Sequence, residues 1–306
     1  MPSLQFYLFR PLMRVARWAQ GNFPVQDANA FLRFRRVANR VANVAIRPPR
    51  DVKVESKSVG GVAGDWIIPA SAPEDPVMVF LHGGGIAFDW NNPMRRELAY
   101  IARFAGLRAF GVDYHIIPET LYPVAHDECY AVYQELIQQG KQVVLIGESS
   151  GAVLALAILL RAKAAGLSQP LLCALISPVV DYGFKNAHLW QTYDPFAHPK
   201  FTVGMLKHYI AGNEPTLPDL GPIYADLSGI APLYVLAGEN EFLRSEVDRL
   251  AEAAQRYHVP MDTVFWPNVW HSWHALAPQL PEATQALETF GAAIRQRVSK
   301  YIEGAA

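Results

Sequence analysis

A serine flanked by glycines is the first feature with chemical content: Gly147-Glu148-Ser149-Ser150-Gly151. It directly follows the β-branched run at 143–146 and directly precedes an apolar helical stretch from Ala152. A serine so placed occupies a tight, strained strand-to-helix turn, where small neighbours avoid clashes and the hydroxyl stands ready as a nucleophile. The helix N-terminus beneath it favours developing negative charge. The competing reading is a glycine-rich turn with an incidental serine. His82-Gly83-Gly84-Gly85 follows another strand candidate, 77–81. Three consecutive glycines lose backbone entropy on folding and need a reason. A phosphate cradle would need a GK[ST] ending or dinucleotide spacing, and both are missing. Beside a nucleophilic serine, the N–H groups of Gly83, Gly84 and Gly85 could approach a substrate carbonyl and stabilise its oxyanion, each donor being worth ~3 kcal/mol. The histidines show neither HExxH nor paired-cysteine spacing, so no metal or other cofactor is expected.

These residues need a scaffold. Strand candidates fall at 52–59, 62–68, 77–81, 109–113, 143–146, 171–176, 233–237 and 262–265, with helical stretches at about 93–105, 123–138, 150–165, 242–257 and 281–300. Several strands are continuous apolar runs, as strands covered on both faces should be. Strand–helix alternation predicts a mostly parallel sheet with helices on both faces. The first two strands, joined through Gly60-Gly61, suggest an antiparallel start. Residues 183–223 follow no strand period and carry Trp190, Tyr193, Phe196, Phe201 and Tyr209, which suits a lid element better than disorder. Before the first strand, Leu12, Val15, Ala16 and Ala19 repeat at helical spacing, and Asp27 can cap a second helix with Phe31, Phe34, Ala38 and Val41 in one stripe. These stripes predict two surface helices packed on the core. A second reading is a weak interfacial membrane contact through Phe6, Tyr7, Phe9 and Trp18 beside the arginines.

The two glycine motifs, with residues 112–119 (Val112-Asp113-Tyr114-His115-Ile116-Ile117-Pro118-Glu119) between them, resemble the bacterial hormone-sensitive-lipase-like (family IV) esterases. The middle stretch is similar to that family's DYRLAPE segment. Trp270-His271-Ser272-Trp273-His274, followed by Leu280-Pro281-Glu282, resembles its HVW…LPE ending. The resemblance implies an α/β-hydrolase fold: an eight-stranded, mostly parallel sheet with helices on both faces and a helical cap. Cap segments would be 1–50 and the insertion 183–223, and the core would be 51–182 and 224–306. It also implies a Ser–acid–His triad in that chain order. Ser149 is then the nucleophile. Glu241 aligns with the family's acid, with Glu239 and Asp248 as alternatives. His271 aligns with its base, with His274 as runner-up. The oxyanion would be held by Gly83, Gly84, Gly85 and the Ser150 amide, with His82 as part of the motif. Asp113 and Glu119 are expected to order loops. The chain departs from the family at Glu148, where Asp is usual, at Ser150, where Ala is usual, and at Ile86, where an aromatic is usual. The last of these, with His115-Ile116-Ile117, is expected to alter pocket shape.

Composition limits the alternatives. The chain has 306 residues, 51% hydrophobic and 18% charged, enough for a large core and too apolar for disorder. A net charge of −1 gives no global case for nucleic-acid binding. That balance hides an asymmetry: residues 1–50 hold nine arginines and one acid, a net +8. The arginines interrupt the hydrophobics too early for a secretory peptide, and no apolar run approaches the ~20 residues of a membrane span. Two cysteines make no disulfide framework, so a reducing, cytoplasmic setting is expected. The expected activity is hydrolysis of short- to medium-chain carboxylic esters. Long-chain lipase action, amide hydrolysis and a non-catalytic small-molecule receptor are the rivals, though a receptor would not need His271 beside Ser149. Dimers are frequent among the resembling enzymes, so a homodimer is one expected form.

Overall fold

The computed structural model describes residues 2–25, 27–185 and 194–305. Trp190 and Tyr193, two of the aromatics read as lid residues, lie outside that set. Eight strands form one sheet: β1 (Val52–Val59), β2 (Val62–Pro69), β3 (Val77–Leu81), β4 (Arg108–Val112), β5 (Val143–Glu148), β6 (Leu172–Ile176), β7 (Leu233–Gly238) and β8 (Met261–Trp266). Their spatial order is β1-β2-β4-β3-β5-β6-β7-β8. β2 runs antiparallel to β1 and β4, and every pairing from β4 onward is parallel. This is the expected α/β-hydrolase architecture, with strand ends within about two residues of the expected bounds.

The apolar runs are continuous because each strand feeds two cores. In β3, Val77, Val79 and Leu81 pack on one side while Met78 and Phe80 pack on the other. In β5, Val143 and Leu145 oppose Val144 and Ile146 in the same way. The first side is covered by α4 (Val124–Gln138), α5 (Gly151–Ala164) and α7 (Arg244–Arg256), the second by α3 (Asn92–Ala105) and α8 (Pro281–Ala305). α5 lies so deep that Ala152 through Leu159 are all buried, which fits its nearly all-apolar sequence.

Two helices precede the sheet, α1 (Leu4–Gly21) and α2 (Ala28–Ala45), and α6 (Pro199–Ile210) lies within the aromatic segment. Asp27 caps α2 as expected, its side chain accepting from the Ala30 N–H at 3.0 Å. The inward faces differ from the expected stripes. α1 turns Phe6, Phe9 and Met13 to the core, and Phe6 packs against Trp270 at 5.2 Å between ring centroids. Leu12 and Val15 are 59% and 65% exposed, and Val41 of α2 is exposed as well. Both faces of α1 are apolar, so periodicity alone could not tell inner from outer. By the same finding, Phe6 and Phe9 are core-facing, while Tyr7 and Trp18 remain at the surface.

Candidate active site

Four loops meet at the carboxyl ends of parallel strands, where crevices form in α/β sheets. The β5–α5 turn carries Ser149, held at φ 51°. That left-handed backbone is strained for a side-chain residue and persists only where its surroundings hold it. Here Ser149 N–H donates to the Ile176 carbonyl at 2.9 Å, and the Ser149 carbonyl accepts from Ala152 at 3.1 Å and Val179 at 3.0 Å. Gly151 is obligatory for packing, since a Cβ there would sit 2.0 Å from the Leu81 carbonyl oxygen of β3.

Ser149 Oγ lies 3.0 Å from His271 Nε2. His271, on the loop after β8, points Nδ1 toward Glu241 Oε2 at 3.7 Å, beyond hydrogen-bond reach. Glu241 is fully buried after β7, and Ser177 Oγ donates to its Oε2 at 2.6 Å. The alternatives lie elsewhere. Glu239 and Asp248 are exposed, and Asp248 pairs with Arg244. His274 is fully buried with Nδ1 2.9 Å from Glu97 Oε1 and Nε2 3.9 Å from Glu148 Oε1. Burial opposes its protonated form, but the attraction of Glu97 and Glu148 outweighs burial and raises its pKa. Glu148 is itself held above the usual carboxyl range by burial first and by Glu97 second.

The glycine loop rests on this cluster. The Glu148 carboxylate fills the space beside Gly83, so a Cβ at position 83 would meet Oε2 at 2.0 Å. His82 Nδ1–H donates to the Gly83 carbonyl at 2.9 Å, its ring stacked on Tyr114 at 4.2 Å. Tyr114 OH donates to the His82 carbonyl at 2.6 Å. Full burial pushes the His82 pKa down to about 4, which keeps the ring neutral. Gly85 N–H donates to Ser150 Oγ at 2.9 Å, so the side chain at this departure from the family pattern occupies one of the expected oxyanion donors. Among the described residues no acceptor takes the N–H of Gly84 or Ser150.

Asp194 and Ser177 escaped the sequence reading. Asp194 is fully buried and takes four backbone N–H groups: Phe196 (2.8 Å) and Ala197 (2.9 Å) on Oδ1, His271 (2.7 Å) and Phe242 (3.3 Å) on Oδ2. One carboxylate thereby ties the segment before α6 to both the Glu241 loop and the His271 loop. The Asp-Pro turn signal at 194–195 was its only trace in sequence.

Above Ser149 and His271 lies a pocket of about 510 Å³, walled by Ala19, Phe23, Phe34, Phe88, Phe201 and Met205. Such a volume and apolar lining suit a small-molecule site. Ile86 takes no part in this wall; it is fully buried at φ 55°, and Phe88 supplies the aromatic surface instead. The expected effect of Ile86 on pocket shape is therefore not direct. Exposed His115 pairs with Glu128, and Glu119 pairs with Arg35 of α2, tying the loop after β4 to the N-terminal helices. Among the described residues no cluster of three or more His, Cys, Asp or Glu is arranged to hold a metal. No helix among them is long and apolar enough to cross a membrane.

Comparison with known proteins agrees with this fold. A family profile described as alpha/beta hydrolase fold matches residues 78–275. The chain is 29% identical over 300 residues to an acetyl-hydrolase of Streptomyces hygroscopicus, covering 96% of this chain and 97% of that one. It is 30% identical over 242 residues to an esterase of Acinetobacter venetianus, covering 77% and 80%. Among solved structures, an esterase from the bacterial hormone-sensitive lipase family superposes with a TM-score of 0.83 at 28% identity, over 97% and 99% of the two chains. A crystal of EstE5 soaked with p-nitrophenyl butyrate gives 0.86 at 26% identity, over 96% and 99%. The chain belongs to the α/β-hydrolase family, among its bacterial hormone-sensitive-lipase-like (family IV) esterases, and is a carboxylic ester hydrolase.

Proposed function

We propose that the chain is a serine carboxylesterase for short- to medium-chain esters, working through an acyl-enzyme on Ser149, Glu241 and His271. The 3.0 Å approach of Ser149 Oγ to His271 Nε2, at the floor of an apolar pocket, carries the reading. His271 takes the Ser149 proton as Oγ attacks the ester carbonyl, then returns it to the leaving alcohol. Water enters and the same groups repeat the sequence on the acyl-enzyme. Glu241 fixes the imidazole tautomer, and the 3.7 Å separation shortens as the ring gains charge. The N–H groups of Gly84 and Ser150 receive the oxyanion, with Gly85 recruited once it leaves Ser150 Oγ. Residues 1–50 and 183–223 act as the cap, since α1, α2 and α6 supply much of the pocket wall. The Streptomyces relative is named for acetyl hydrolysis, so acetyl esters are the natural first substrates.

Initial rates across p-nitrophenyl esters from acetate to palmitate test the chain-length reading. The pocket volume predicts a maximum among the short and medium acyl chains. Activity confined to palmitate would overturn it in favour of a lipase, and turnover of anilides alone would point to an amidase.

Ser150 allows a finer prediction. Its hydroxyl must release Gly85 N–H before that donor can serve the oxyanion, at a net cost of about 1 kcal/mol. Ser150→Ala should therefore raise kcat by roughly fivefold with little change in KM. A fall in kcat would show instead that the Ser150 hydroxyl itself assists the oxyanion.

A further inference from the structure

We infer that the outer faces of α1 and α2 form a docking surface for anionic phospholipid bilayers. On α1, Leu4, Leu8, Leu12, Val15 and Trp18 lie on one side of the helix, and all are exposed, Leu4 at 73% and Trp18 at 70%. On α2, Val37, Val41 and Val44 do the same. Isolated exposed apolar residues need no explanation, but two helices each presenting a stripe of them do. Core packing does not supply one, because Phe6, Phe9 and Met13 of α1 and Phe31 of α2 already fill the inward faces.

Charge identifies the occupant. Arg33, Arg36 and Arg40 run along α2 next to its valine stripe, and all three are exposed. No ion pair among the described residues engages any of the three. Residues 1–50 carry +8 in a chain whose net charge is −1, so the positive field sits on the segment that bears the exposed apolar stripes. Amphipathic helices with this pairing of arginine and exposed Leu, Val and Trp lie in the headgroup plane of anionic membranes. The position also has a use. Ala16 and Ala19 of α1 and Phe34 of α2 line the pocket, so the two stripes flank its wall. Docking would bring the pocket close to esters dissolved in the bilayer.

The test is co-sedimentation of the full chain with phosphatidylcholine–phosphatidylglycerol vesicles and with phosphatidylcholine vesicles, at low and high salt. Binding is read without turnover, so its failure is distinguishable from failure of the ester-hydrolysis reading. The expected result is strong, salt-sensitive binding to the mixed vesicles and weak binding to phosphatidylcholine. Arg33→Gln, Arg36→Gln and Arg40→Gln together should lower partitioning on the order of a hundredfold, at roughly fivefold per arginine. Leu8→Ser with Val15→Ser should lower it at least about tenfold on mixed vesicles, since the apolar face drives insertion. Both variants should hydrolyse soluble p-nitrophenyl acetate at the wild-type rate. Absence of wild-type binding at low salt, or equal binding by the variants, would overturn the inference. So would light scattering that shows a dimer which Leu8→Ser with Val15→Ser converts to monomer, because the stripe would then be an interface between copies.

Discussion

Ser149→Ala is expected to lower kcat/KM on p-nitrophenyl butyrate by about four to six orders of magnitude while the fold persists. The size follows from what is removed. In the proposed mechanism no acyl-enzyme forms without Oγ, and only water attack assisted by the oxyanion donors and binding remains. Among the described residues the one hydrogen-bond partner of that hydroxyl is His271 Nε2. The strained φ of 51° stays in place, because the backbone bonds to Ile176, Ala152 and Val179 are untouched. His271→Ala should lose a similar factor, and the double variant little more than either alone, since the two act as a unit in the proposed mechanism. Steady-state rates with a circular-dichroism melt for each variant check this. A loss under tenfold in folded Ser149→Ala would remove the serine from the reaction.

A large loss of stability in mild acid is the second expectation. Burial pushes the pKa values of His82 and His126 down to about 4 each. Both are locked as neutral rings: His82 against the Gly83 carbonyl, and His126 between Tyr209 OH at 2.7 Å and the Asp219 carbonyl at 3.0 Å. In the unfolded chain each titrates near 6.5, so as pH falls below that value the unfolded state binds protons the native state refuses, and stability drops until about pH 4. From about pH 7.5 to pH 5 each histidine removes about 2 kcal/mol, or about 4 kcal/mol together. His274 and Glu148 act in the opposite sense, because their raised folded pKa values favour the native state in acid. A variant isolates the effect. His126→Gln should be less stable than wild type at pH 7.5 but lose about 2 kcal/mol less on acidification, read from urea midpoints at the two pH values. Parallel losses in the two proteins would contradict a neutral, proton-refusing His126.

The parts of the site legible in sequence are those whose chemistry is local. A nucleophile turn needs glycines on both sides of the serine for close packing, and Gly151 against Leu81 shows why that requirement is written into adjacent residues. The sheet was legible because two-sided burial demands unbroken apolar runs such as 143–146. Asp194 and Ser177 were not legible, because their partners His271, Phe242 and Glu241 arrive from other loops only after folding. The need for glycine at position 83 is likewise set across the fold, by the carboxylate of Glu148. α1 misled the helical reading for a different reason: with apolar residues on both faces, period alone could not choose which would meet the core.

The most direct test of the proposed acyl-enzyme mechanism is to trap the intermediate. Incubation with a p-nitrophenyl phosphonate ester, followed by peptide mass spectrometry, should find one phosphonyl adduct per chain, on Ser149, forming in step with loss of esterase activity. The adduct should not form in His271→Ala, because in the proposed mechanism that ring is the base that activates the hydroxyl. Full inactivation with the label on another residue, or labelling of Ser149 at an undiminished rate without His271, would contradict the acyl-enzyme mechanism.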